Sequence, residues 1–453
     1  MLRETAVALP PDVATDLDHW LEPFLDVTGR STRRRMAPLY VRGLLGPDGA
    51  KSIQPMAQRL GLPGHDQLHH FVTSPAWDDA PLWRVLAQQV DQQFGGRDAV
   101  LVVDDTGMPK KGTASVGVAP QYCGELGKTA NCQVLVSLTL ARGEVPVPVG
   151  LRLFLPTCWT DDLDRCAAAG VPQAAQAAQT KPAIALAEID RLIAAGLRFG
   201  SVSSDAGYGS SPAFRHGLQA RGLPWTVGVA STQGVYLTTV RLHASRTPTG
   251  RRRKHPVANR RPRTAAAMLA SQRWRRISWR RGTKGPLGAR FAAMRVRVAD
   301  GPLSADNTRL PGDEVWLIGE WRDSGERKYY LSNLAKRTSL RRLAAAIKAR
   351  WSCEQVHQQL KQELGLGDFE GRSWTGLHRH ALMSCIAFAY LQHRRLRAAG
   401  RGKKLDPNGP PPQPSLPEIR RAIIARLFAS PSIPFRCPHC HRRIAQYPSK
   451  VPK

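Results

Sequence analysis

The sequence predicts an α/β protein: strands and helices that alternate in one core, preceded by a helical segment and interrupted by a strongly basic stretch. Three observations carry this reading. Apolar periodicity is helical up to about residue 95 and changes at Ala99, where AVLVVDD is an unbroken apolar run ended by acids. A second strand-like run, FGSVSSD, ends on Asp205. Helix and strand patterns alternate between and after these runs, so carboxylates fall at strand ends, where sites tend to lie in such sheets.

In chain order, residues 1–95 read as a helical DNA-binding domain. Met56, Ala57 and Leu60 stand at helical spacing before a Gly61-Leu62-Pro63-Gly64 break, and Leu68 and Phe71 follow it, the pattern of a helix-turn-helix. His65, His69 and His70 cluster there without a Cys or carboxylate set, so they read as a polar helix face. Residues 96–229 read as the first part of an α/β core. CQVLVSLTLARGEVPVPVGLRLFL forms a hairpin around Arg-Gly-Glu, KPAIALAEIDRLIAAG an amphipathic helix closed by Gly196, and PWTVGVA a further strand. The chain then becomes strongly basic, and strand-like EVWLIGEW and KYYLSN follow. Residues 338–397 return to helix, with a long helix expected from about Ser339 to Leu364 and the apolar ALMSCIAFAYLQ after it. Residues 398–453 are a Pro/Gly linker and basic tail.

The 453 residues carry 66 Lys+Arg against 35 Asp+Glu, a net charge of +31, which makes a polyanion the expected partner. Between Arg246 and Arg297 there are 17 Lys/Arg and no acid. That run, with Arg251, Arg252 and Arg253 at its start, is expected to contact phosphates, and Trp274 is a candidate to stack on an unpaired base, as are Trp279, Trp316 and Trp321. No apolar run reaches the ~18 residues a membrane span needs, and MLRETAVALPPD lacks the pattern of a secretory signal. Six of the eight cysteines stand singly, which fits a reducing, cytoplasmic setting. Cys437 and Cys440 have half of a zinc spacing, but no second pair follows before Lys453, so a redox-sensitive tail is the plainer reading.

Three acids stand out against this basic background: Asp105 and Asp205 at strand ends, and Glu354 in a helix. Converging carboxylates are hard oxygen ligands, suited to a pair of Mg²⁺ ions (Mn²⁺ as substitute) ~4 Å apart that act on a phosphodiester. Arg350, Glu354 and Lys361 fall on one helix face at ~100° per residue, with His357 and Gln358 between them. Glu363, nine residues on from Glu354, points the other way. A surface salt-bridge ladder would use the same spacing.

LVVDDTGMPKKG, QYCGELGKTANCQVLVSL, SSDAGYG and RWSCEQVHQQLKQELGL, in that order, together resemble the DDE transposases of bacterial insertion sequences. The resemblance is to the insertion sequence 701 family, within the group marked by Y-(2)-R-(3)-E-(6)-K, and runs from about Val41 to Leu391. It implies an RNase H-like mixed five-stranded sheet, with the first two acids on its first and fourth strands and a basic β-rich insertion, residues 230–337, before the Glu. It implies Asp105, the Asp directly before Thr106, as first acid rather than Asp104. Strand alternation sets those two on opposite faces. Asp205 and Glu354 follow as the second and third acids, and Arg350 and Lys361 as the motif's cations. Ile347 stands where the motif has Tyr. Lys110, Lys111 and Lys128 lie in the matching segments and are expected to contact DNA. The resemblance further implies a bacterial, nucleoid-associated enzyme, homodimeric on double-stranded DNA, that cuts the ends of its element and joins the 3′-OH to target DNA. An RNase H-like nuclease or resolvase, or a non-catalytic DNA-binding relic or regulator, are the alternatives.

Overall fold

The apolar run at Ala99 forms the central strand β1 (Gly96–Pro109) of a twelve-stranded mixed sheet in the computed structural model, which describes residues 7–244, 250–251, 256–282, 285–304, 307–400 and 410–428. Strand β2 (Ala119–Cys123) and β3 (Lys128–Arg142) follow, and β3 turns into β4 (Val145–Leu153) as the expected hairpin. The two turn residues, Gly143 and Glu144, have φ of 51° and 67°. That is the doubly left-handed turn whose twist matches its flanking strands.

Strands β5 (Phe199–Ser204) and β6 (Trp225–Val229) run parallel to β1, while β3 is antiparallel to it. The inner order is therefore β4-β3-β1-β5-β6, with short β2 beside β4 on the edge of β3 that faces away from β1. Setting β2 aside, this is a mixed five-stranded sheet with Asp105 on its first strand and Asp205 just past the end of its fourth. Leu101, Val102 and Val103 are fully buried because helices cover both faces of β1.

The basic insertion continues the same sheet. Strand Arg327–Ser332 pairs with β6, then Arg309–Trp321, then Gly285–Leu303, which also pairs with Arg275–Gly282. Trp279 packs into a satellite core there, with its ring 5.9 Å from Phe291. Arg252 and Arg253 lie outside the described residues, as do Cys437 and Cys440.

The N-terminal helices are α1 (Val13–Asp26), α2 (Ser31–Leu45), α3 (Ile53–Arg59), α4 (Asp66–Thr73) and α5 (Ala80–Phe94). They share one core with the helix Trp374–Ala398, which is buried on every face from Gly376 to Gln392. Packing is thus continuous across residue 95. Buried polar side chains of this helix reach partners on other elements. The Tyr40 hydroxyl lies 2.8 Å from His380 Nδ1, and Arg379 donates to the carbonyls of Val72, Ser74 and Trp77 with its guanidinium 3.8 Å over the Trp77 ring. Arg379→Met would orphan three buried carbonyls and is expected to cost about 3 kcal/mol, read as a lower denaturation midpoint at constant slope. A loss under about 0.5 kcal/mol, the range of ordinary surface changes, would show that water replaces the guanidinium.

The helix expected from Ser339 to Leu364 is two helices, Leu340–Lys348 and Trp351–Gln362. At the junction the backbone bonds tighten from i−4 to i−3, with Ser352 N donating to Ala349 O (3.3 Å) and Cys353 N to Arg350 O (3.0 Å). The tightened turn sits at Arg350, whose side chain is held by two carboxylates. Among the described residues no helix is long and apolar enough to cross a membrane.

Candidate active site

Strand pairing creates the site. Strand β5 pairs with β1 only as far as Ser204 opposite Val103, so the edge of β1 is left open at Asp104 and Asp105. The chain turns away at Asp205, whose side chain caps the one-turn helix Ala206–Gly209 by accepting from Tyr208 N (3.3 Å). The turn brings the Tyr208 ring back over the edge of β1.

Alternation along β1 then sorts the neighbouring acids. Asp104 lies on the face of Val102, which packs against Cys353 of the Trp351–Gln362 helix. Arg350 at that helix's start bridges two acids, donating to Asp104 Oδ2 (2.7 Å) and to Glu354 Oε1 (2.8 Å). Asp104 is 14% exposed and Glu354 44%. Burial pushes the Asp104 carboxyl up to about 6, against the pull of Arg350 and with Asp205 and Asp105 adding to the rise.

Asp105 lies on the other face. Its Oδ2 accepts from Lys181 Nζ (2.5 Å), the first residue of the helix Lys181–Ala194, and its Oδ1 accepts a short hydrogen bond from the Tyr208 hydroxyl. Burial and the facing carboxylates raise the Tyr208 phenol well above its ordinary value, so it stays a donor. Asp105 and Asp205 line one cavity of about 520 Å³, walled by Phe154, Gln179, Lys181 and Tyr208. The structure thus joins Asp105 to Asp205 through this cavity, and Glu354 to Asp104 through Arg350. It does not bring Asp105 and Glu354 into direct contact.

The cations named from sequence divide. Lys361 donates to Gly107 O (2.6 Å) and pairs with Glu125 (2.7 Å), tying the Glu354 helix to β1. Lys110 is likewise internal, donating to the carbonyls of Gly367 (3.1 Å) and Phe369 (2.7 Å). Lys111, Lys128 and Arg251 are exposed. Trp274 is half-buried, in edge contact with Trp321 at 5.9 Å, and Arg327 lies over both rings.

A family model described as the DDE superfamily endonuclease matches residues 23–286. The chain belongs to this family. The matched span of this DDE superfamily endonuclease contains Asp105 and Asp205 and stops before Glu354. The chain is also 32% identical over 161 residues to a probable transposase for insertion sequence element IS701 from Microchaete diplosiphon, a match covering 36% of this chain and 39% of that protein's length. Among solved structures, a piggyBac transposase synaptic complex with hairpin DNA matches at 11% identity, TM-score 0.43, covering 92% of this chain and 77% of the other.

The donor set suits a divalent cation. Carboxylate oxygens are the hard ligands Mg²⁺ and Mn²⁺ take, and Asp105 and Asp205 present theirs to one cavity. Among the described residues no three metal-ligating side chains converge closely enough to hold an ion as they stand. Lys181 and Arg350 occupy the oxygens that would converge.

Sequence reasoning missed Lys181 and Tyr208 and set Asp104 aside. Tyr208 carries a signal in hindsight: it stands three residues after Asp205, where a capping acid meets the backbone it caps. Lys181 carries none beyond opening a helix.

Proposed function

We propose that this endonuclease-family chain is an insertion-sequence transposase, which binds the inverted-repeat ends of its element, hydrolyses the end phosphodiester and joins the freed 3′-OH to target DNA. The observation that carries the reading is the meeting of Asp105 and Asp205 at one open strand edge in a chain of net charge +31. The kinship with the DDE endonucleases and with a transposase relative supports it.

In this reading Asp105, Asp205 and Glu354 hold two divalent ions, Mg²⁺ in the cell. Bound there, the ions supply activation of an attacking oxygen and stabilisation of the leaving one. The protein contributes placement. Arg350 fixes the Glu354 carboxylate through its second hydrogen bond to Asp104, and Lys361 fixes the helix that carries Glu354 against β1. Lys111, Lys128 and Arg251 are exposed cations that meet phosphates from the surface in this reading, and the enzyme acts on double-stranded DNA as a homodimer, with residues 1–95 contributing to recognition. No protein nucleophile is needed.

Glu354→Gln tests the assignment. It keeps the size of the side chain and a hydrogen bond to Arg350 but removes the charge, so metal-dependent cleavage of DNA carrying the element ends is expected to vanish while a bandshift on the same DNA persists. Loss of both together would make Glu354 a structural residue. Cleavage by wild type without joined products would leave a nuclease, and tight binding without any cuts a DNA-binding relic.

A further inference from the structure

We infer that Lys181 is the resident counter-cation of the candidate site, a positioning residue that holds Asp105 in the absence of metal and must be displaced for a divalent ion to bind; this rests on the metal-site reading above. The ion pair is specific in geometry. Lys181 Nζ sits 2.5 Å from Asp105 Oδ2 and 5.4 Å from the centre of the Phe154 ring, whose face favours a cation. The Tyr208 hydroxyl takes the other oxygen of the same carboxylate. Each oxygen of Asp105 therefore already accepts from one donor, and the ammonium of Lys181 sets a positive charge where a divalent ion would approach.

Lys181 is the donor able to leave. The Tyr208 ring is 2% exposed and packed 5.6 Å from Phe214, so its hydroxyl is fixed by the core. The Lys181 side chain is 30% exposed on the wall of the open cavity, at the first turn of its helix, and its flexible stem lets the ammonium swing into solvent without moving backbone. Arg350 plays the matching part on the other face, but it bridges two acids and is more enclosed, at 24% exposure. Arg350 holds Asp104 and Glu354 together, whereas Lys181 pairs with Asp105 alone. Lys181 is the one whose removal exposes a ligand oxygen without freeing a second acid.

An intact structural salt bridge and a displaceable counter-cation predict opposite effects on metal affinity. If Lys181 competes with the ion, Lys181→Met binds Mn²⁺ more tightly than wild type, by about five- to tenfold, as expected for loss of a partly exposed pair beside a doubly charged ion. Mn²⁺ titration of the full-length, DNA-free protein, followed by electron paramagnetic resonance of the unbound ion, reads this directly. Lys181→Arg, which keeps the charge, is expected to stay close to wild type, and Lys181→Gln repeats the test should the methionine variant fold poorly. Equal or weaker Mn²⁺ binding by the neutral variants overturns the inference. Asp105→Asn separates this failure from that of the metal-site reading: if Asp105→Asn binds Mn²⁺ as wild type does, Asp105 is not a ligand and both fall. If Asp105→Asn alone loses the ion while Lys181→Met gains nothing, only the role of Lys181 falls.

Discussion

Asp105→Asn is expected to remove metal-dependent cleavage, by about 10³-fold or more, whereas Asp104→Asn is expected to lower it only about 10- to 100-fold. The two residues are adjacent, yet β1 points them to opposite faces and gives them different work. Asp105 is 31% exposed and shares a cavity with Asp205, so an ion that displaces Lys181 can reach its carboxylate. Losing one such ligand forfeits about 4 kcal/mol of charge stabilisation, and each 1.36 kcal/mol is tenfold in rate. Asp104 is enclosed and committed to Arg350, which in turn holds Glu354. Its loss loosens a ligand without deleting one, the scale seen for residues that orient metal ligands. Single-turnover cleavage at saturating Mn²⁺ compares them. An inactive Asp104→Asn beside an active Asp105→Asn would move the first ligand to Asp104 and place the ion on the Glu354 face of the sheet.

That this choice needs a structure shows where sequence reading stops. The apolar runs before Asp105 and Asp205 were legible as strands because burial on both faces demands unbroken apolar sequence, and the hairpin was legible because Arg-Gly-Glu interrupts two β-rich runs. The face each acid occupies follows from alternation once the strand is known. Which helix covers that face does not, because it depends on contacts between residues hundreds of positions apart. Lys181 meets Asp105 across 76 residues, and Arg350 meets Asp104 across 246. Lys110 misled for the same reason: a lysine in a conspicuous basic motif reads as a phosphate contact, but here its ammonium is turned inward onto the carbonyls of Gly367 and Phe369. The basic insertion was legible as β-structure, while its pairing with β6, which makes it an extension of the central sheet, was not.

Acid is expected to unfold this protein steeply between pH 6.5 and 4, well above the range in which carboxylates alone would do so. His378 and His380 are buried and His357 is half-buried, and burial lowers His357, His378 and His380 to about 3, 4 and 4 respectively, with Lys361 and Arg350 adding to the effect at His357 and Arg152 at His378. Hydrogen bonding demands the neutral ring at two of them. His378 Nε2 accepts from Leu153 N (3.2 Å), and His380, with Nε2 on the Gly365 carbonyl (3.0 Å), keeps Nδ1 to accept from the Tyr40 hydroxyl. Because the folded values lie below the ordinary 6.5, the unfolded chain binds more protons as pH falls through this window, and stability falls with it. Each histidine contributes up to about 1.4 kcal/mol per pH unit. Three together approach the 5–15 kcal/mol that holds a typical domain folded. His393, lowered to about 4 but less enclosed, adds a smaller share. Asp104 opposes them, since a carboxyl raised to about 6 is stabilised by protonation, but it is one group against three. Glu188 and Glu320 lose stability only below about 4.5, because the arginines and lysine paired with them lower rather than raise their values. Urea midpoints measured from pH 7.5 to 4.5 should therefore decline with the slope of about three protons. His357→Gln keeps a hydrogen-bonding partner for Ser137, which lies 2.7 Å from His357 Nε2, and should flatten that slope by about one proton. A midpoint that stays level down to pH 4.5 would mean these rings are protonated in the folded protein, and that the enclosed helix Trp374–Ala398 admits water where the packing shows none.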